Sequence, residues 1–271
     1  MNYNYLSGFG HVSFREACAL HYTKTYYLPT PHRIINHQGS VCLIKAKFGV
    51  FLPFYAFQTR NPTEYYAQLK ALVLECERLG YDSVWIDDHL MYGELPILEC
   101  WTTLSALAAQ TGRIRLGTLV TCNAHRNPAL LAKAAATLDV LSGGRLEFGI
   151  GAGCQQKEHD SYGFSFPNLK VRVEMMAEAL EVTLRLWTQQ KTDFKGKYYT
   201  LNNAACEPKP LQKPHPPITV GGSGEKYTLR TTAQYADRVD FGFLPTIEEY
   251  QHKLGILERH CDAAGRDFTE I

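Results

Sequence analysis

The chain is 271 residues long, with 45% hydrophobic and 20% charged residues, which excludes collagen-like and disordered architectures. Lys+Arg 28 against Asp+Glu 27 gives a net charge of +1, and no basic run supplies the footprint of a nucleic-acid binder. No apolar stretch approaches the ~20 residues of a membrane span, and residues 1 to 20 lack the charged start and apolar core of a signal peptide.

The eight cysteines are widely spaced, with no C-x-x-C pair, so neither zinc nor a disulfide framework is implied and a cytoplasmic address is expected. Residues 1 to 45 carry scattered Tyr and His without a sustained period, broken by Pro29 and Pro31. They read as an irregular, poorly ordered arm. From Lys47 strands and helices alternate. Phe48 to Leu52 is a strand candidate, and Asn61-Pro62 opens a helix whose Tyr65, Leu69, Val73 and Cys76 share one face up to Gly80. Then come strand Ser83–Asp87, a helix near Leu98–Gln110, strand Ile114–Thr121, helix Pro128–Leu141 and strand Arg145–Ile150. A loop leads to helix Lys170–Trp187 and an irregular Pro-rich stretch to Pro217. Strand Ile218–Gly221, helix Gly224–Tyr235, strand Val239–Phe243 and helix Ile247–Ala264 complete the series.

Six strands alternating with six helices demand a parallel sheet, so the fold class is α/β, either an open doubly wound sheet or a (β/α)8 barrel. The dinucleotide fingerprint of the open sheet is broken, because Cys154 stands in Gly149-Ile150-Gly151-Ala152-Gly153-Cys154 where a third fingerprint glycine would be needed. That favours the barrel.

Four segments carry candidate chemistry. Trp85-Ile86-Asp87-Asp88-His89 runs from a strand into two carboxylates and a histidine suited to proton transfer, or into a cluster that only ties strand to helix. In Leu119 to Pro128 the candidates are His125 and Arg126, beside a helix start capped by Asn127. The alternate glycines 149, 151 and 153 would let a flat ligand lie against the backbone. Glu158 and His159 after them read as a solvated helix start, with no third ligand at metal-site spacing. Finally Gly221-Gly222-Ser223-Gly224-Glu225 leads a strand straight into a helix, an arrangement that presents free amides to a phosphate.

These pieces also carry a resemblance. Phe48-Gly49-Val50, Asp88-His89, Leu116-Gly117-Thr118, Asn127-Pro128 and Ser142-Gly143-Gly144-Arg145 occur in order. They are followed by the Gly149-to-Gly153 strand, Glu158-His159-x-x-Tyr162-Gly163, Gly196-Lys197-Tyr198-Tyr199, Lys209-Pro210, and Gly221 to Glu225 with Thr228-Leu229-Arg230. From about Phe48 to its end the chain resembles the bacterial luciferase-like monooxygenase family, most of all the branch that uses the deazaflavin coenzyme F420. The resemblance implies a (β/α)8 barrel over residues 46 to 271, with an insertion at Thr192 to Pro216. On strand count the barrel is truncated before its last strands, the seventh starting at Phe268-Thr269-Glu270-Ile271, and the expected product is a fragment, poorly soluble and inactive unless completed.

It further implies hydride transfer between F420 and an organic small-molecule substrate, with FMN and oxygen as the alternative chemistry and a cofactor-binding protein without turnover as a third reading. His89 would act at the ring with Asp88 beside it. A cis peptide is expected near Leu119-Val120. The implied cofactor contacts are Leu119, Val120, Thr121, Gly153, Glu158, Tyr162, Gly221, Gly222, Ser223, Gly224, Glu225 and Arg230. No metal, nucleic acid or membrane is expected, and a homodimer is compatible with the family. Cys154 departs from relatives that carry a glutamate acid after the same glycine, so their proton relay is not expected.

Overall fold

A computed structural model describes residues 47–54, 57 and 59–271, together with the backbone of 34–35 and 41–42. The chain divides into two compact units, Met1–Ala46 and Lys47–Ile271. In the first, Ile34–Ile35 pairs antiparallel with Val41–Cys42; the rest of the expected arm lies outside the described residues.

The second unit is built on six parallel strands: β1 (Gly49–Phe51), β2 (Ser83–Ile86), β3 (Arg115–Thr118), β4 (Leu146–Gly151), β5 (Ile218–Gly221) and β6 (Arg238–Asp240). Their spatial order is their chain order, each strand pairing with the next. A doubly wound sheet reverses its strand order at a switch point; none occurs here. The sheet curls as an incomplete barrel of the (β/α)8 type.

The helices begin and end where local chemistry dictates. Helix α1 (Pro62–Leu79) starts on Asn61, whose side chain accepts from the Thr63 and Glu64 amides, and stops at left-handed Gly80. Then come α2 (Cys100–Ala108), α3 (Pro128–Leu141, capped by Asn127), α4 (Gln156–Tyr162), α5 (Leu169–Thr188), α6 (Thr228–Tyr235) and α7 (Ile247–Ala264). The main core joins Leu69 and Val73 of α1 to Leu104 and Leu107 of α2, Leu131 of α3, Trp187 of α5 and the strand residues Leu116, Leu146, Phe148 and Ile150. Each such side chain contributes roughly 1.5–3 kcal/mol on burial. A smaller cluster of Leu229, Phe241, Leu257 and Cys261 seats α6 and β6 on α7. At the N-terminal end of β4 the Arg145 guanidinium donates to the carbonyls of Ala108, Thr111, Ile114 and Ser142 and to Thr111 Oγ1. This ties the C-terminus of α2 to the sheet and gives Ser142-Gly143-Gly144-Arg145 a structural role.

Several boundaries differ from expectation. Strand β3 ends at Thr118 rather than Thr121; the expected cis peptide joins Leu119 to Val120, and Thr121–Cys122 pairs separately with Ile150–Gly151 of β4. Helix α6 starts at Thr228, not Gly224; the intervening residues form a turn. Strand β6 stops at Asp240 instead of Phe243, where Gly242 turns the chain with φ 69°. Helix α4 is fully formed where only a helix start is read within a loop, and Thr192–Lys195 pairs antiparallel with Thr200–Ala204 in a stretch read as irregular. Phe268–Glu270 forms a 3-10 turn rather than the start of a strand.

Candidate active site

Strand β2 delivers Asp87, Asp88 and His89 to the C-terminal end of the sheet, where barrels place their chemistry. The His89 ring faces Glu158 of α4, with Nδ1 3.1 Å from Oε2. A carboxylate only accepts, so Nδ1–H donates, and in the neutral ring Nε2 carries the lone pair. The other Glu158 oxygen accepts from the Leu90 and Met91 amides. Burial opposes the Glu158 charge, but the Leu90 amide, His89 and the Met91 amide outweigh it and hold the carboxyl below the ordinary range. Phe54 meets the His89 ring edge-on at 5.3 Å, and Tyr162 Oη donates to the Leu90 carbonyl. Glu158 and His159 are therefore not a solvated helix start: their exposures are 3% and 0%.

Asp88 turns away from this pair. Its fully buried carboxylate accepts from both Arg126 Nη groups and from the Cys122 amide at 3.0 Å, and Arg126 also binds Glu99. The expected partnership of Asp88 with His89 is thus not made; Asp88 and Arg126 fasten β2 to the segment after β3. Asn127 does no more than cap, accepting from the Ala129 amide. Asp87 takes the place beside His89 instead. Burial pushes its carboxyl up to about 6, against the pull of His89 and of the Phe54 amide that donates to it.

The glycine face of β4 also has a different occupant from the one expected. A Cβ on Gly151 would lie 2.7 Å from Val120 Cγ2, one on Gly221 2.8 Å from both Val120 methyls, and one on Gly149 3.1 Å from Cγ1. The bare backbone accommodates Val120 rather than a flat ligand, and Val120, half-buried, forms the shelf above it. Gly153, with φ 84°, packs against Cys122 Sγ and the His159 ring.

After β5, Gly222 takes φ 126° and donates to the Asp240 carbonyl. Among the described residues the amides of Ser223, Gly224 and Glu225 have no hydrogen-bond acceptor. The Glu225 carboxylate points to α7, where Lys253 and His252 hold it. Arg230 stands in the first turn of α6. It lines a cavity of about 270 Å3 between α5 and α6, with Lys170, Glu174, Lys197 and Tyr198.

Residues 46–271 match the family model of the luciferase-like monooxygenases. The chain belongs to that family. An F420-dependent glucose-6-phosphate dehydrogenase of Amycolatopsis mediterranei is 34% identical over 209 residues, covering 73% of this chain and 60% of the relative. Among solved structures, an F420-dependent secondary alcohol dehydrogenase in complex with an F420-acetone adduct superposes with TM-score 0.72 and 28% identity, covering 84% of this chain and 67% of the other. A monooxygenase from Streptomyces bottropensis gives TM-score 0.70 and 25% identity, covering 82% and 68%. The chain spans about 60% of the length of the curated relatives it matches. Among the described residues no helix is long and apolar enough to cross a membrane.

Within this luciferase-like frame, sequence reading did not single out Asp87 as the buried carboxylate beside His89, nor the Glu158 contact with His89. Only the Asp-Asp-His run and the Glu-His pair hinted at them. No local signal shows that Cys122, His125 and His159 converge, since they leave two different elements.

Proposed function

We propose that the C-terminal face of the sheet transfers hydride between coenzyme F420 and a small organic substrate, with His89 moving the accompanying proton. The observation that supports this most is the His89–Glu158 pair: a buried carboxylate fixes Nδ1 as donor and leaves Nε2 without a partner among the described residues. Nε2 then takes the proton of a substrate hydroxyl, or returns it in the reverse direction. Glu158 orients the ring and stabilises the imidazolium. The residues present fit the cofactor in two respects. The free amides of Ser223 to Glu225 suit a phosphate, and Val120 presents an apolar shelf on the glycine strands. When bound, the deazaflavin ring supplies hydride donor and acceptor chemistry. Asp88 is a positioning residue in this scheme. A cytoplasmic address and a homodimer belong to the same proposal; fractionation and sedimentation test them.

A second reading, FMN with oxygen, is favoured by the likeness to the Streptomyces bottropensis monooxygenase. Titrating the protein with each oxidised cofactor and assaying turnover with the tighter one separates the two. Tighter F420 binding with dehydrogenation of secondary alcohols or sugar phosphates is expected. Oxygen uptake with reduced FMN, and no F420 binding, would overturn the proposal in favour of the second reading.

A further inference from the structure

The 3-10 turn Asn123–His125 and helix α4 bring Cys122, His125 and His159 together, one ligand atom from each lying within 4.8 Å of the other two. We propose that these three side chains form a binding site for a zinc-type divalent cation, a site that does not depend on which cofactor the barrel takes.

Three observations converge on it. First, tetrahedral zinc with Zn–S of ~2.3 Å and Zn–N of ~2.0–2.1 Å holds sulfur and nitrogen ~3.6 Å apart; Cys122 Sγ and His159 Nε2 stand 3.7 Å apart. Second, His159 Nδ1 lies 2.9 Å from the Gln155 carbonyl, which can only accept, so the proton sits on Nδ1 and the Nε2 lone pair faces the sulfur. Donation of the second ring N–H to a backbone carbonyl is how metal-ligating histidines are oriented. Third, among the described residues neither ring nitrogen of His125 has a hydrogen-bond partner, although the side chain is 1% exposed and its Nε2 stands 3.8 Å from Glu158 Oε2, beyond hydrogen-bond reach. A thiol-to-imidazole hydrogen bond between Cys122 and His159 would leave both His125 nitrogens unpaired; a cation takes one of them as a ligand, together with the Cys122 sulfur and His159 Nε2. The donor set is then two imidazole nitrogens and a thiol that ionises as the cation binds.

Binding releases the Cys122 thiol proton to solvent, and both histidines enter as lone-pair donors, so no redox change is involved. Three protein ligands leave a fourth position for water. The cation would clamp the turn after Cys122 to α4, the helix that carries Glu158 to His89. No sequence motif announces the site, because its ligands are spaced as C-x-x-H followed by a histidine 34 positions later.

The full chain, stripped with chelator and then titrated with cobalt(II), tests this directly. The expected result is one equivalent bound per chain, with a thiolate-to-cobalt charge-transfer band and intense tetrahedral d–d bands, bleached by one equivalent of zinc. Zinc should also raise the Tm, as ligand linkage requires. Cys122→Ser and His159→Gln should abolish the band, whereas Cys154→Ser, at an exposed cysteine, should keep it. Should Cys122→Ser fail to fold, His125→Gln decides by the same spectrum. Absence of the band in the wild-type chain, or a band that survives Cys122→Ser or His125→Gln, overturns the proposal.

Discussion

The Glu158 carboxylate receives His89 Nδ1 at 3.1 Å across a separation of 69 residues. Helix α4 thereby sets the tautomer of a ring delivered by β2. His89→Ala removes the proton carrier and should lower turnover by ~10²–10⁴-fold, with cofactor affinity within twofold of wild type. Glu158→Gln keeps an acceptor for the Leu90 amide but no longer fixes the tautomer, so its kcat should fall between the two. Steady-state kinetics beside cofactor titration checks both. A His89→Ala protein that turns over normally would remove His89 from the mechanism.

Val120 and Gly221 form a second coupled pair. Gly221→Ala places a Cβ 2.8 Å from both Val120 methyls, and overpacking of this kind costs about 1–3 kcal/mol. Loss of stability and weaker cofactor binding are expected together. The double variant Gly221→Ala/Val120→Ala should recover most of the stability, a coupling that a double-mutant cycle in urea measures. Additive losses would show that the shelf does not rest on Gly221.

Asp87 makes a pH prediction. Burial raises its carboxyl from 3.8 to about 6 in the folded chain, so the folded state keeps a proton that the unfolded state has released. The stabilisation is complete below the unfolded value and is lost as pH rises through about 6. The difference amounts to ~3 kcal/mol at most, because each tenfold change in proton affinity is worth ~1.4 kcal/mol. Asp87→Asn stays neutral and still offers an oxygen to the Phe54 amide. It should therefore stabilise the protein at pH 7.5 and change little at pH 4, as judged by urea midpoints at the two pH values.

The alternation of strands and helices was legible because each helix carries its own punctuation. Pro62–Leu79, Pro128–Leu141 and Ile247–Ala264 match their expected spans, each between a capping residue and its stop. Elements whose register is set from outside were not legible. The pairing of Thr192–Lys195 with Thr200–Ala204 lies in a segment rich in Lys and Pro, and its inner face, marked by Thr192, Phe194 and Leu201, is too short to show a period. At the site, the sequence pointed to His89 and the glycine loop through local composition. The direction in which Asp88 faces depends on Arg126, 38 residues away, and short-range periodicity carries no information about such a pairing. Gly149 and Gly151 looked like room for a ligand because the pattern says that space is left, not what fills it.

Arg145 gives a test at the opposite end of the sheet. Its guanidinium satisfies four carbonyls and the Thr111 hydroxyl. Arg145→Met leaves several of these buried acceptors unpaired at ~1–3 kcal/mol each, so the urea midpoint should drop sharply. Cofactor affinity per folded molecule should be unchanged, because none of these contacts reaches the C-terminal face.

Asp88 distinguishes a positioning group from a catalytic one. Its carboxylate is buried, pairs with Arg126 through both oxygens and accepts the Cys122 amide. Breaking a buried pair by removing one partner typically costs ~3–5 kcal/mol, because the other charge is left without compensation. Here Glu99 still holds Arg126, which places the expected loss for Asp88→Asn at the lower end. Cys122 and the Val120 shelf lie on the chain that Asp88 anchors, so KM for the cofactor should rise together with the loss of stability. The Asn side chain can still accept from the Cys122 amide, and the pH profile of kcat should keep its wild-type shape. A group that passed protons through His89 would behave in the opposite way, leaving the urea midpoint in place and displacing the pH profile. Measuring midpoint and profile on the same Asp88→Asn preparation decides between them, and a displaced profile in a protein of unaltered stability would return Asp88 to the reacting centre.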